Sequence, residues 1–313
     1  MGVELIDLTA AELEARRARM AEEFAHDIVL NFGVAPEVAL QQSAQQLEAG
    51  LPDGVATEGQ LFWKGTDGGE DVGLLWISLP GTVYPDMAWI SEIEVAADRR
   101  GRGYGGQMIT AGEDEMRARG VSRIGLHVFG HNHGARRLYL RLGYRILSQV
   151  RDRPLSPDLG DASGELALVP MTQQAYEDHV ADLAARDPFL LVRDPSVTTE
   201  RALLAAARLA PAGIATEGTL LYDAHVDGRE VGWLWLALPN PGRPTTGLVI
   251  HLEVDPAERR RGHGRRMIAA AEEELARQGV PRIGLSIPGR ADALAFADSL
   301  NMTLASQQMV KDL

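Results

Sequence analysis

The chain has 313 residues, 45% of them hydrophobic and 24% charged, with a formal net charge of −13 and no cysteine. These values describe a folded protein of about two domains. They exclude disulfides, thiolate metal sites and a cysteine nucleophile, and argue against the anionic backbone of a nucleic acid as a partner.

The N-terminus lacks a basic segment followed by an apolar stretch, and nowhere do about eighteen apolar residues run together, so the expectation is a soluble cytoplasmic protein with no membrane partner. A short apolar strand opens the chain at residues 3–9, followed by helical sequence. Alternation and β-branched or aromatic content then predict strands at 60–63, 72–79, 88–95 and 123–129. Between the last two lies a helix over 106–119, with Met108, Ile109, Ala111 and Met116 on one stripe and Gly120 as its stop. A second helix, 133–142, ends at Gly143. Residues 151–165 are rich in Pro, Gly, Ser and Asp, the composition of a linker.

The same order then returns. ATEG at 56–59 recurs at 215–218, and the surrounding frame aligns without a gap at a constant offset of 159. The second helical stripe carries Met267, Ile268, Ala271 and Leu275, with Gly279 as the stop. We therefore expect an N-terminal domain over 1–152, a linker over 153–164 and a C-terminal domain over 165–313, each an α/β unit with a mixed sheet and helices on its faces.

Between strand and helix each repeat carries R-x-x-G-x-G, as Arg100, Gly103 and Gly105 and again as Arg259, Gly262 and Gly264. A glycine-rich turn opening a helix lets backbone N–H groups approach an anion, so a phosphorylated ligand is expected. Gly101, Gly103 and Gly106 also satisfy the dinucleotide pattern G-x-G-x-x-G. That alternative is disfavoured. The glycines start well after the strand, and the next strand, GLHVFG, offers no acid for a ribose.

EIEV, RRGRGYG and HNHGARRLYLRLGY together resemble the GCN5-related N-acetyltransferase (GNAT) family, over about residues 88–144. The resemblance implies two tandem GNAT domains, each a mostly antiparallel mixed sheet with a splayed parallel strand pair. It implies acetyl-CoA as co-substrate; separately, the histidines lack ligand spacing with carboxylates on a helix, so no metal is expected. The diphosphate would lie on Arg100, Gly101, Gly103, Tyr104, Gly105 and Gly106, the pantetheine arm beside Ile93 and Val95, and Asn132 against that arm. Tyr139 would stand near the sulfur, as the acid for the departing thiolate, and the Val95 N–H would face the thioester carbonyl.

Acetyl transfer to an alkylamine of pKa near 10.4 also needs a base. Glu92 and Glu94 share one strand face. Glu92 matches the family's glutamate, and either could serve; His127 and His131 are weaker candidates. In the second repeat Ala297, Asn301 and Met302 replace Tyr139, Gly143 and Tyr144, Asn132 has no counterpart, and His251 and Glu253 stand where Glu92 and Glu94 stand.

The expectation is an N-acetyltransferase acting on the primary amine of a small molecule or a protein lysine, active in its N-terminal domain, as a monomeric pseudo-dimer or a homodimer. The alternatives are a non-catalytic acyl-CoA-binding or regulatory protein, and a mycothiol synthase-like tandem enzyme.

Overall fold

The computed structural model describes residues 2–156 and 166–313. Most of the linker expected at 153–164 falls outside the described residues. Two compact units are formed, one by residues 1–147 with 306–313 and the other by residues 148–305.

In chain order the first repeat contributes β1 (Glu4–Asp7), α1 (Ala10–Phe32), α2 (Pro36–Gly50), β2 (Gln60–Asp67), β3 (Glu70–Ser78), β4 (Ala88–Val95), α3 (Tyr104–Ala118), β5 (Arg123–Phe129), α4 (His133–Arg141) and β6 (Arg145–Pro154). The second contributes β7 (Leu166–Pro170), α5 (Gln173–Arg186), α6 (Phe189–Val192), α7 (Thr199–Leu209), β8 (Thr219–Val226), β9 (Arg229–Ala237), β10 (Thr246–Val254), α8 (His263–Arg277), β11 (Arg282–Pro288), α9 (Ala291–Asp298) and β12 (Thr303–Asp312).

Local chemistry explains the boundaries. Thr9 and Glu12 form a reciprocal capping box at the start of α1, with Thr9 N–H donating to Glu12 Oε2 at 2.8 Å and Glu12 N–H to Thr9 Oγ1 at 3.3 Å. The β2–β3 turn uses Gly68 and Gly69, both with positive φ, which matches the twist of a tight hairpin. The strand expected at 60–63 therefore runs on to Asp67, and the helix expected from 106 begins two residues earlier.

The sheet of the first unit has the order β1-β2-β3-β4-β5-β12, in which β4 and β5 run parallel and the other neighbours antiparallel. That parallel pair is short. It is in register at Ala88↔Ile124, Trp89↔Gly125 and Ile90↔Leu126, and then the strands part. The register of β4 against β3 slips at the same point, from Ile77↔Ile90 to Trp76↔Glu92, leaving Ser91 as an extra residue. A bulge bends its strand and raises the local twist, which accounts for the divergence.

The sequence stripe on α3 packs on this sheet. Met108, Ile109 and Met116 are fully buried with Leu75, Ile77 and Ile124, and burying side chains of this size contributes about 1.5–3 kcal/mol each. Gly112 is needed for the close approach, because a Cβ there would meet Leu75 at 2.7 Å.

The last strand of the first unit comes from the far end of the chain. β12 pairs antiparallel with β5, from Ser306↔Phe129 to Asp312↔Arg123. Arg123 donates to Asp312 at 2.8 Å, and Gln308 donates to the Tyr84 hydroxyl at 3.0 Å.

The second unit has the order β6-β11-β10-β9-β8-β7, so its last slot is filled by β6 from the first repeat. Its helical stripe, Met267, Ile268, Ala271 and Leu275, is buried as the sequence predicts. β10 and β11 are in parallel register only from Thr246↔Arg282 to Val249↔Leu285, again with a slip between Val249 and His251.

Candidate active site

The turn between β4 and α3 is held in shape by its own side chain. Arg100 Nε donates to the Val95 carbonyl at 3.0 Å, Gly101 and Gly103 sit at φ 78° and 86°, and the first helical hydrogen bond runs from Gln107 N–H to the Gly103 carbonyl at 3.2 Å. The N–H groups of Tyr104, Gly105 and Gly106 thus lack intrahelical acceptors at the positive end of the helix dipole. A Cβ on Gly105 would stand 3.5 Å from Leu138 and Val95, and one on Gly106 3.4 Å from Leu138. These are ordinary contact distances, so α3 packs against α4 and β4 here without depending on the missing side chains. Tyr104 contributes only its backbone here, because its hydroxyl donates to Asp67 at 2.7 Å.

A cavity of about 510 Å³ opens in the first unit where β4 and β5 part. Its walls include Met20, Phe24 and Asp27 of α1, the β4 stretch through Glu92 and Ile93, His127 and Phe129 of β5, and then Asn132 and Tyr139. Glu92, Ile93, Asn132 and Tyr139 are therefore brought together.

Glu92 has no hydrogen-bond partner among the described residues. Burial, followed by the negative charges of Glu23, Glu94 and Asp27, pushes its carboxyl up to about 7. Glu94 differs. Its side chain is ion-paired with Arg19 at 2.5 Å and lies 3.9 Å from Arg16, so it serves as a counter-ion, and the two glutamates that share a strand face have separate tasks.

Tyr139 is 5% exposed and lines the cavity with its hydroxyl unpartnered among the described residues. Burial and the Glu92 charge raise its pKa, which keeps the phenol protonated. Asn132 caps α4 by accepting from Ala135 N–H at 3.0 Å, so its Oδ1 is engaged and its amide donors are free for the cavity. His127 is open to the cavity and surrounded by protein that holds its pKa down to about 4, so it is neutral. His131 pairs with Asp27 at 3.1 Å.

The second unit repeats the turn and not the cleft chemistry. Arg259 Nε donates to the Val254 carbonyl at 3.0 Å, and Gly262 has φ 84°. Arg260 stands in place of Gly101 at φ 66°. Ala297 replaces the phenol. His251, at the position of Glu92, is buried against the Trp233 ring at 4.4 Å, and its imidazole pKa is lowered by burial. Arg193 Nη2 donates to the Ser286 carbonyl at 3.2 Å, immediately past the last residue of β11 that pairs with β10. Aligning the capping threonines Thr9 and Thr172 puts Arg186 where Glu23 stands, and Arg186 donates to Glu253 at 3.0 Å. An acidic surrounding has become a basic one.

The α1 residues Phe24 and Asp27 carry no sequence motif, and sequence reasoning missed them. Among the described residues, His179, Asp223 and Glu230 of the second unit place three potential metal-ligand atoms within 4.8 Å of one another. His179 Nε2 lies 3.1 Å from Asp223 Oδ1, within hydrogen-bond distance, and its ring stacks on Trp233 at 5.1 Å, so that nitrogen already has a protein partner. Among the described residues, no helix is long and apolar enough to cross a membrane.

Residues 32–144 and 180–301 match the acetyltransferase (GNAT) family, and the chain belongs to it. It is 30% identical over 154 residues to the uncharacterized N-acetyltransferase YdgE of Bacillus subtilis, covering 49% of this chain and 98% of that one. Over 77 residues it is 32% identical to a mycothiol acetyltransferase of Corynebacterium aurimucosum, 25% of each chain. A GCN5-related N-acetyltransferase from Sphaerobacter thermophilus shares the fold at TM-score 0.56 and 17% identity, over 99% of this chain and 95% of that one. The protein is an acetyltransferase with two copies of the family's fold.

Proposed function

We propose that this GNAT acetyltransferase uses its first unit to move the acetyl group of acetyl-CoA directly onto a primary amine. The observation that carries the reading is the placement of two unpartnered groups of opposite role in one cavity: Glu92, held near neutrality, and Tyr139, held protonated. The turn fits the co-substrate. Its free amides and two left-handed glycines suit a diphosphate, and Asn132 and Ile93 suit the amide-bearing arm.

Proton balance assigns the roles. An ammonium acceptor surrenders a proton to the Glu92 carboxylate, directly or through water; the freed amine attacks the thioester carbon, a C–N bond forms and the C–S bond breaks. Tyr139 donates its proton to the departing thiolate. The nitrogen, cationic after attack, gives up its second proton, which restores the phenol by way of water, and Glu92 returns its own proton to solvent, so ammonium and acetyl-CoA yield amide, coenzyme A and one proton. A carboxylate near pKa 7 is half ionised at neutral pH, a compromise between being charged and being basic. The second unit, with Ala297 at the position of Tyr139 and with Arg193 reaching its strand divergence, is read as non-catalytic.

Release of coenzyme A from acetyl-CoA over a panel of amines tests the proposal. Release that depends on Tyr139 and Glu92 supports it. Binding of coenzyme A with no release on any amine favours the acyl-CoA-binding reading instead. The similarity to a mycothiol acetyltransferase makes a cysteinyl pseudodisaccharide one member of that panel.

A further inference from the structure

Two positions that line the first unit's cavity, His127 and Asn132, have exact counterparts in the second unit. Register fixes the first: Ala88 faces Ile124 in one parallel pair and Gly247 faces Ile283 in the other, so Ser286 stands where His127 stands. The N-caps of α4 and α9 fix the second, which sets Arg290 against Asn132.

Both counterparts are held by residues 187–193 of the second unit. That segment contains α6, which lies between α5 and α7, whereas among the described residues α2 follows α1 with no helix between them. Arg193 Nη2 donates to the Ser286 carbonyl at 3.2 Å, and Nη1 donates to the Phe189 carbonyl at 3.3 Å and to the Leu190 carbonyl. Arg290 pairs with Asp187 at 2.5 Å. The guanidinium groups of Arg193 and Arg290 lie 5.9 Å and 5.8 Å from the centroid of the Phe189 ring, so one aromatic side chain serves two cations.

The backbone of Arg193 has a φ of 60°, the left-handed region that a side chain adopts only where its surroundings over-determine it. Burial, and then the charge of Arg290, lower its pKa to about 10, which leaves it cationic at neutral pH. Three carbonyls satisfy that cation. An extended ligand entering where β10 and β11 part would have to take the guanidinium off Ser286 and leave it short of an acceptor.

We propose that residues 187–193 are a built-in occupant of the second unit's cleft, a strap that keeps acetyl-CoA out, so that each chain takes one equivalent and takes it in the first unit. The inference rests on the first unit being the acetyl-CoA site. It adds that the second glycine turn, although it keeps Gly262 and the bond from Arg259 to Val254, stays without a coenzyme.

Coenzyme A is titrated into the full chain by calorimetry, and amide exchange is followed by mass spectrometry with and without saturating coenzyme A. The expected result is one equivalent per chain, with exchange slowed at least ~10-fold at residues 104–107 and unchanged at residues 263–266 and 187–193. Protection at 104–107 joined by a second equivalent, by slowed exchange at 263–266, or by faster exchange at 187–193 as the strap is displaced, overturns the strap and leaves the reading of the first unit standing. No protection at 104–107 overturns that reading, and the inference with it.

Arg193→Ala tests the fastening. Exchange at 187–193 is expected to rise at least ~10-fold while acetyl transfer by the first unit stays at its wild-type rate. Exchange as slow as in the wild type overturns the strap.

Discussion

Lys311 Nζ, on the last strand of the chain, lies 2.6 Å from Glu113 Oε2, a side chain only 2% exposed on α3 of the first repeat. The pair pins β12 to the unit whose sheet it completes, 198 positions away in sequence.

Lys311→Met is expected to destabilise the first unit by less than about 3–5 kcal/mol, the cost of a fully stranded buried charge, because Glu113 keeps Arg117 at 3.7 Å as a second, longer partner. Denaturant unfolding followed through the near-ultraviolet signal of the tryptophans measures it. Adding Glu113→Met is expected to recover most of the loss, and failure to recover would mean that the strand itself had detached.

Tyr139→Phe removes the hydroxyl proposed to protonate the thiolate, and keeps the packing. The expected loss in kcat is about 10²–10⁴-fold, the usual weight of a positioned acid, with KM for the acceptor nearly unchanged. Residual activity above a few per cent of wild type would show that the second unit turns over.

Glu92 predicts a pH signature in both rate and stability. As a base with pKa about 7, it makes kcat/KM rise with pH up to that value and then level, and Glu92→Gln removes that limb. For stability the sign is opposite. The folded carboxyl has a pKa above its unfolded value, so its favourable contribution is complete below about 4.5 and is lost as pH rises through about 7. Glu92→Gln is therefore expected to be more stable than wild type at pH 8, by at most about 3 kcal/mol, with the difference disappearing near pH 4. Chemical denaturation at the two pH values checks this.

Gly103 sits at φ 86°, just ahead of the free amides of α3. Gly103→Ala places a side chain in the left-handed region at about 1–2 kcal/mol and reshapes the turn. KM for acetyl-CoA is expected to rise about tenfold while kcat stays within a fewfold, which steady-state kinetics separates from a general loss of fold.

The repeat, the helical stripes and the glycine turn were legible because each rests on local spacing, whereas Glu92 and Tyr139 were singled out through the resemblance to the family. Three features were not legible. β6 and β12 have similar alternating patterns, Arg145–Pro154 and Thr303–Asp312, and which of them lies beside β5 is decided by tertiary packing such as Lys311 on Glu113. The Ser91 bulge leaves no mark in composition, yet it is where the two parallel strands begin to part. The division of labour between Glu92 and Glu94 depends on Arg16 and Arg19 of α1, about 75 residues earlier and in a helix whose sequence advertises only amphipathicity.

Because β12 supplies the neighbour of β5, the ribosome must translate through residue 312 before the first unit can reach its finished state. At about 5–20 residues per second, that interval is on the order of ten seconds or more after β5 has emerged. During this time the half that holds Glu92 and Tyr139 waits on a strand not yet made, so its maturation is timed by the synthesis of β12, far downstream of its own residues.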